Sequence, residues 1–254
     1  MTDCHPQSHI SRILTHPSVL QNPVTFFEVY EVPVRKFFTC LCRNIHEADE
    51  QFQNFAVKFL SGAFDKYTPA KGRFRDYLKR SLRNQVKRSA RKGAKFAVPI
   101  PEDLDAADPS SWEPIENALR EFDVIEGEQI KRLVEEDMRA DEEDRLNQFH
   151  SILQFAVGYQ QQRLNEFARD GGRIKVPVSA VVDFIRERFG EVVNSDNAKQ
   201  RMFRAKVAYA SKMIAEIGLR ITDQSIDSIR EAGRELGLLV YIEGELARRE
   251  GSRE

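Results

Sequence analysis

Residues 71–95 have the sequence KGRFRDYLKRSLRNQVKRSARKGAK, the most informative stretch of the chain. It holds eleven Lys and Arg residues and one acidic residue, Asp76. The apolar residues Phe74, Leu78 and Leu82 recur every four residues, which is typical of an amphipathic α-helix. A basic stripe along this helix is predicted from four residues at i, i+3, i+7 and i+11: Arg80, Arg83, Lys87 and Arg91.

A stripe of this kind neutralises phosphates and gives salt-sensitive affinity for nucleic acid with little sequence information. The alternative is a solvated helix face. Like charges at i,i+4 repel each other by a few tenths of a kcal/mol, and this stretch has almost no acids to pair with its bases. The pattern therefore favours nucleic-acid binding. Phe74 and Tyr77 are candidates for stacking on bases, although their helical spacing favours a place in the core.

The charge of the chain is strongly segregated along its 254 residues. The overall net charge is only -1. However, residues 33–99 carry +11, residues 100–150 carry -12, and residues 151–220 carry +5. Near-neutrality therefore does not argue against DNA binding. Two basic segments separated by an acidic one predict two nucleic-acid-facing domains and a linker.

The hydrophobic spacing predicts an all-α fold. Phe52, Phe55 and Phe59 recur at helical intervals, and no sustained strict alternation of the strand type occurs. Proline and glycine clusters and the charge changes set the predicted boundaries. These give an irregular N-terminus (1–23), a helical domain (24–97), an acidic, partly helical linker (98–150), a second helical domain (151–220) and a C-terminal helical extension (221–254).

Several classes of protein are disfavoured. No apolar run approaches the roughly 18 residues of a membrane span, and the N-terminus has no secretory signal pattern. An odd count of three cysteines suits a reduced, cytoplasmic protein. Cys40 and Cys42 with His46 lack the further ligands of a structural zinc site, so no metal or cofactor is predicted. No P-loop, G-x-G-x-x-G, H-E-x-x-H or serine elbow is present, which indicates that the protein is not an enzyme.

Residues 64–84, FDKYTPAKGRFRDYLKRSLRN, resemble the second conserved region of bacterial sigma-70 family RNA polymerase sigma factors, closest to the extracytoplasmic-function type. Residues 46–55, HEADEQFQNF, resemble the helix with which that family docks on the clamp helices of the polymerase β′ subunit. The resemblance covers residues 24–95 and implies a helical bundle that binds core polymerase and the minus-10 promoter element.

This resemblance implies two sets of contact residues. The core-polymerase set is Glu47, Asp49, Glu50, Gln53 and Asn54, and Asn54 stands where the family usually has an acid. The minus-10 and phosphate set is Arg73, Arg75, Lys79, Arg80, Arg83, Asn84, Lys87, Arg88 and Arg91.

A helix-turn-helix is predicted in the second basic segment. Apolar spacing predicts a helix from Val178 to Phe189, followed by a turn around Gly190 and a second helix capped by Asn194 or Ser195. Residues 194–206, NSDNAKQRMFRAK, resemble the recognition helix of the fourth conserved region of the same family, with Phe203 in place of the usual His.

The implied contacts of this helix are with the minus-35 promoter element. The base readers are Asn197, Lys199, Gln200 and Arg201, with Arg204 and Lys206 nearer the phosphates. Gln200 is suited to a bidentate pair with adenine and Arg201 with guanine.

The acidic segment has three alternative interpretations. It is a solvated charged linker, or a competitor with DNA for the +11 segment, which would suppress DNA binding until polymerase core is engaged. The resemblance implies a third role, a linker that threads toward the polymerase active-site cleft. The spacing of apolar residues in 225–249 predicts one further helix.

The resemblance implies a sigma factor that binds RNA polymerase core and promoter DNA, with an anti-sigma factor as a candidate partner and no membrane. One alternative is a helix-turn-helix transcriptional regulator that acts without core polymerase. Another is an all-α enzyme or adaptor whose basic helix binds an acidic protein.

Overall fold

The structure is a computed structural model and is all-helical in the part of the chain that it describes, as predicted. It describes residues 23–65, 67–68, 73–94, 96–98, 100, 112–145, 147–166, 175–221 and 223–252. The predicted irregular N-terminus, apart from Pro23, and Lys71 and Lys95 of the basic stretch lie outside these residues. Within them, the only β-contact is an isolated bridge between Cys42 and Phe96. None of the described helices has the length and apolar content needed to cross a bilayer.

The described residues form nine α-helices. They are α1 (Pro23–Leu41), α2 (Ile45–Leu60), α3 (Phe74–Arg91), α4 (Glu113–Arg145), α5 (Phe149–Glu166), α6 (Val178–Phe189), α7 (Ser195–Gly218), α8 (Ile226–Glu235) and α9 (Leu239–Gly251).

The chain divides into two compact units whose boundaries differ from the predicted ones. The first unit comprises Met1–Ile130 and Ala215–Glu254, and the second comprises Lys131–Ile214. The segment predicted as a linker is therefore shared between the two units. The predicted C-terminal extension belongs to the first unit.

An aromatic cluster forms the core of the first unit. The rings of Phe26 and Phe59 stack with their centroids 3.8 Å apart. Phe74 is buried and packs edge-on against Tyr30, with the ring centroids 5.8 Å apart. Tyr77 is half-buried and packs against the ring of Phe64. Phe74 therefore occupies a core position, as its helical spacing predicted, and its ring is not available to stack on a base.

The acidic segment contributes directly to this core. Ile115, Ala118, Leu119 and Phe122 of α4 are all buried, at i, i+3, i+4 and i+7. Because α4 buries this apolar face in the first unit, its N-terminal part is a structural element of that unit.

Gly127 of α4 allows a close approach between two backbones of the first unit. A Cβ atom added at Gly127 would lie 2.3 Å from the carbonyl oxygen of Leu236, just after α8. A side chain at this position therefore cannot be accommodated without moving the backbone of α4 or of Leu236.

Replacing Gly127 with Ala is expected to lower the free energy of unfolding by about 1–3 kcal/mol, because the added methyl overpacks this contact. Gly244 in α9 is the matched control, since a Cβ there meets no atom within 4 Å. Gly244→Ala is expected to raise the free energy of unfolding by up to about 1 kcal/mol through helix propensity. Urea denaturation followed by circular dichroism measures both, and a stabilised Gly127→Ala variant would contradict the packing argument.

The predicted single C-terminal helix is interrupted. Gly237 lies between α8 and α9 with a φ of 69°, which is the left-handed conformation that favours glycine. The backbone therefore ends one helix here and starts another.

The second unit contains the predicted helix-turn-helix. α6 ends at Gly190, whose φ of 70° gives a left-handed C-cap. The Asn194 side chain accepts a hydrogen bond from the Asn197 backbone N–H at 2.8 Å and caps α7, which confirms one of the two predicted caps. Phe155 of α5 stacks on Phe184 of α6 with ring centroids 4.4 Å apart, and Ala198 and Ala205 of α7 are buried in the same core.

Candidate nucleic-acid interface

The basic residues of α3 are divided between two faces, one of which is covered by acidic residues. Arg75 is 1% exposed. Its Nε atom donates to Glu126 at 2.8 Å, and its two terminal nitrogens donate to Asp123 and Glu235, each at 2.5 Å. Burial opposes the positive charge of Arg75, but the carboxylates of Glu126 and Asp123 outweigh burial and raise the pKa of the guanidinium.

Arg75 was predicted to contact DNA, and the structure instead places it in a buried ionic cluster. The physical reason is its position on the helix, because Arg75 shares the inner face of α3 with the buried residues Leu78 and Leu82. The basic sequence pattern does not distinguish a cation that points inward to buried acids from one that points outward.

Two further bases of α3, and Arg73 immediately before it, pair with acidic residues of the first unit. The Lys79 ammonium lies 2.6 Å from Asp123. Arg83 donates to both oxygens of Glu116, at 3.0 and 2.9 Å. Arg73 bridges Asp76 and Glu235, at 2.9 and 2.7 Å. With Arg75, these residues form what we call the paired face of α3.

Lys87 lies beside this face and contacts an aromatic ring. Its ammonium is 4.4 Å from the centroid of the Trp112 ring, a distance typical of a cation–π interaction. Two members of the predicted basic stripe, Arg83 and Lys87, therefore contact Glu116 in the first turn of α4 and Trp112 just before α4.

The opposite face of α3 is exposed. We call it the exposed stripe, and it consists of Arg80, Asn84, Arg88 and Arg91, at i, i+4, i+8 and i+11. All four belong to the predicted DNA-binding set. The exposed stripe and the predicted stripe share only Arg80 and Arg91, because the true outward face of the helix is set by which side packs on the core.

Basic residues of α2 and α3 interact electrostatically at the C-terminal end of the exposed stripe. Partial burial and the charges of Arg88 and Lys92 lower the pKa of Lys58 in α2.

The residues predicted to bind polymerase lie on α2, but they are not equivalent. Glu50, Gln53 and Asn54 are exposed. Glu47 lies at the start of the helix, where its backbone N–H donates to Asn44 and its carboxylate accepts from the backbone N–H of Arg43.

Asp49 is held against the protein surface. Its carboxylate accepts a 2.5 Å bond from Arg35, whose guanidinium lies 4.0 Å from the centroid of the Phe52 ring. The outward-facing members of the predicted set are therefore Glu50, Gln53 and Asn54.

A cavity of about 470 Å³ lies between α2 and the C-terminal end of α3. Glu47, Glu50 and Asn54 of α2 line it together with Ser89 and Lys92 at the end of α3. The two helices are linked beneath it by the buried Gln51, whose side-chain oxygen accepts from Ser89 at 2.7 Å. The predicted protein-docking helix therefore meets the C-terminal end of the helix that carries the exposed stripe, although none of the four stripe residues lines the cavity.

Cys40, Cys42 and His46 do not form a metal site in the structure. Burial, with smaller contributions from Glu47 and Glu50, raises the pKa of Cys42 to about 11, so its thiol stays protonated at neutral pH. Thiolates are the metal-binding form. Across the described residues, no group of three His, Cys, Asp or Glu side chains is arranged to hold a metal.

The second unit presents most of its predicted DNA-binding residues to solvent. The exposed members on α7 are Asn197, Lys199, Gln200, Arg204 and Lys206. They lie on the sides of the helix away from the buried Ala198 and Ala205.

Arg201 is the exception within this set. Its guanidinium lies 2.7 Å from Glu191 in the turn and donates to the Gln148 side chain at 2.7 Å. Gln148 has a φ of 59°, a conformation that few non-glycine residues adopt. The hydrogen bonds from Arg201 and Gln148 lower the pKa of Glu191.

The predicted pairing of Arg201 with guanine therefore competes with these contacts within the unit. In this structure the guanidinium supports the turn of the helix-turn-helix. An acid in the turn, Glu191, was the available sequence signal for this role.

Comparison with protein-family models, with curated proteins and with solved structures finds no match for this chain.

Proposed function

We propose that this chain is a bacterial sigma-type factor that binds RNA polymerase core and directs transcription initiation at promoters. The observation that carries the proposal is that one unit carries an exposed basic stripe on α3 and exposed acid and amide residues on α2, and that these two helices meet at one surface cavity. A protein partner and DNA would meet on this surface. The sequence resemblance of residues 24–95 to the second conserved sigma region supports the same assignment.

The proposal assigns a role to each exposed surface. Glu50, Gln53 and Asn54 bind the clamp helices of the β′ subunit. The exposed stripe engages the minus-10 element through phosphate contacts. The N-terminal part of α7 enters the major groove at the minus-35 element. The protein would act in the cytoplasm as a binding subunit without chemistry of its own, and an anti-sigma factor would compete for the same surfaces.

Transcription by bacterial core polymerase on a promoter library, with and without the protein, tests the proposal. The expected result is a set of transcripts that depends on the protein and shares upstream sequence elements. A stable dimer that footprints palindromic DNA without core polymerase, and that fails to co-purify with β′, would instead establish the core-independent regulator.

The polymerase contact has its own test within this experiment. Glu50→Lys combined with Asn54→Lys is expected to abolish co-purification with β′, because it reverses the charge of the docking face. Glu121→Lys, an exposed charge reversal on α4 of the same unit, is the control and should leave co-purification unchanged.

The ion pairs of the paired face support the hypothesis that the acidic segment competes with DNA. Glu116, Asp123 and Glu126 all come from that segment and engage bases of α3. Deleting residues 102–146 is not a suitable test, because Phe122 and its buried neighbours on α4 belong to the core. Neutralising one acidic residue at a time tests the competition hypothesis and leaves the core intact.

Glu116→Gln is expected to strengthen binding of the free protein to duplex DNA, because it releases Arg83 for a phosphate. One additional phosphate contact makes the dependence of log K on log salt steeper by about 0.9. Fluorescence anisotropy across a salt series measures this slope. The control is Glu121→Gln, which removes the same charge from an exposed position on the same helix. Equal slopes for the two variants would show that Glu116 does not mask Arg83.

A further inference from the structure

Phe203 is a large apolar residue on the outward face of α7. It is 60% exposed, whereas Ala198 and Ala205 on the opposite side of the helix are buried. Asp196, Gln200 and Phe203 lie at i, i+4 and i+7, so they share one face of the helix. Scattered exposed apolar residues are common on proteins, so exposure by itself assigns no role to Phe203.

The position of Phe203 within the helix-turn-helix is informative. α7 is the second helix of this motif, and Phe203 is its ninth residue, two turns beyond the N-cap. In a helix-turn-helix, the N-terminal part of the second helix lies in the major groove and reaches base edges. A side chain that points directly away from the unit's core on this part of the helix faces the floor of the groove.

The groups around Phe203 are suited to DNA. Lys199, Arg204 and Lys206 are exposed on the same helix and attract phosphates. The one acid on the shared face, Asp196, is paired with Lys199 at 3.1 Å, so its charge is largely compensated. A ring flanked by cations and by the amide of Gln200 is suited to a nucleic-acid groove, where the cations meet phosphates and the ring and the amide meet base edges.

We propose that Phe203 reads the 5-methyl group of thymine in the major groove, next to an adenine bound by Gln200. Thymine is the only base of DNA that presents a methyl group there, and an apolar side chain recognises it by contact. Gln200 binds the N6 and N7 atoms of adenine through its amide. α7 therefore selects a step that contains adjacent A·T pairs, and Arg201 is a positioning residue for the turn. This inference rests on the proposed DNA binding by the second unit.

The test begins with selection of duplexes from a random library by the full-length chain bound to core polymerase. Each thymine of the selected upstream element is then replaced singly by deoxyuridine, which removes the methyl and keeps the base pair. We expect one thymine at which this replacement weakens binding about fourfold, the equivalent of about 0.8 kcal/mol for one buried methyl.

The protein variant completes a double-mutant cycle. Phe203→Ala is expected to bind about fourfold more weakly to the thymine duplex and to lose sensitivity to deoxyuridine at that position only. Ala is compatible with this exposed helical site, and circular dichroism checks that the variant is folded. Val192→Ala is the control, since Val192 is 86% exposed in the turn before α7 and should keep full sensitivity to deoxyuridine.

Each other outcome overturns a defined part of the proposal. Failure to select any duplex would overturn the proposed DNA-binding function itself. Selection of a defined element in which every deoxyuridine is neutral, or in which Phe203→Ala keeps the wild-type sensitivity, would overturn the role of Phe203 alone. Unchanged DNA binding of Phe203→Ala with lost binding to core polymerase would assign Phe203 to a protein contact instead.

Discussion

Replacing Arg75 with Met is expected to lower the free energy of unfolding by about 3–5 kcal/mol, the typical cost of removing one partner from a buried ion pair. The side chain of Glu126 is 1% exposed, and that of Asp123 is 15% exposed. Without Arg75, Asp123 keeps Lys79 at 2.6 Å, whereas Glu126 is left, among the described residues, with Arg220 at 3.8 Å. Urea denaturation of the full chain followed by circular dichroism measures the loss.

Two further variants separate charge from packing. Arg83→Met removes an ion pair whose members, Arg83 and Glu116, are 35% and 39% exposed, so its expected cost is below about 1 kcal/mol. Adding Glu126→Gln to Arg75→Met should recover part of the stability, because it removes an uncompensated buried charge. A small effect of Arg75→Met, equal to that of Arg83→Met, would mean that the cluster is not buried in solution.

Neutralising the exposed stripe is expected to make the salt dependence of DNA binding much weaker. The triple variant Arg80→Gln, Arg88→Gln and Arg91→Gln removes three exposed cations of α3. If each cation neutralises one phosphate, the slope of log K against log salt becomes shallower by about 3. Anisotropy measurements with a promoter duplex, repeated over a range of salt concentrations, give this slope.

A matched pair of single variants tests the assignment of the two faces. Arg88→Gln should make the slope shallower by about 1, whereas Arg83→Gln should leave it unchanged in the free protein, because Arg83 is engaged by Glu116. Equal effects of the two variants on the slope would show that the paired face and the exposed stripe contribute equally to DNA binding.

These variants are also informative for the competition between the acidic segment and DNA. Loss of Glu116 adds a phosphate contact, whereas loss of Arg88 removes one. Because these two changes also shift the net charge in opposite directions, the charge-matched variants Glu121→Gln and Arg83→Gln are needed to show that the contacts, not the net charge, set the slope.

Local patterns in the sequence were sufficient for several structural features. The all-α class follows from apolar residues at helical spacing, as in Phe52, Phe55 and Phe59, which are all buried on one side of α2. The helix-turn-helix follows from the spacing of Val181 and Ile185, the glycine at position 190 and the capping asparagine. Each of these signals lies within a few residues of the structure that it forms, so the sequence reveals it directly.

The candidate site was predictable only in part for the same reason. The bases of α3 and the exposed residues of α7 were identified from composition and spacing. The contacts of Arg201 within the second unit were not predicted, because one of its partners, Gln148, lies 53 residues away in the chain. No local pattern indicates such a pair.

Sequence alone determined that this chain is helical, that its charge is segregated, and which helices carry the bases. Only the tertiary structure decided which bases are available. Arg75 meets Asp123, Glu126 and Glu235, which lie 48, 51 and 160 residues further along the chain. Residues 71–95 carry eleven positive charges, but the fold neutralises those on one face of α3 and exposes those on the other. The physical reason is that ion pairing depends on distance in space, which the chain sets only when it folds.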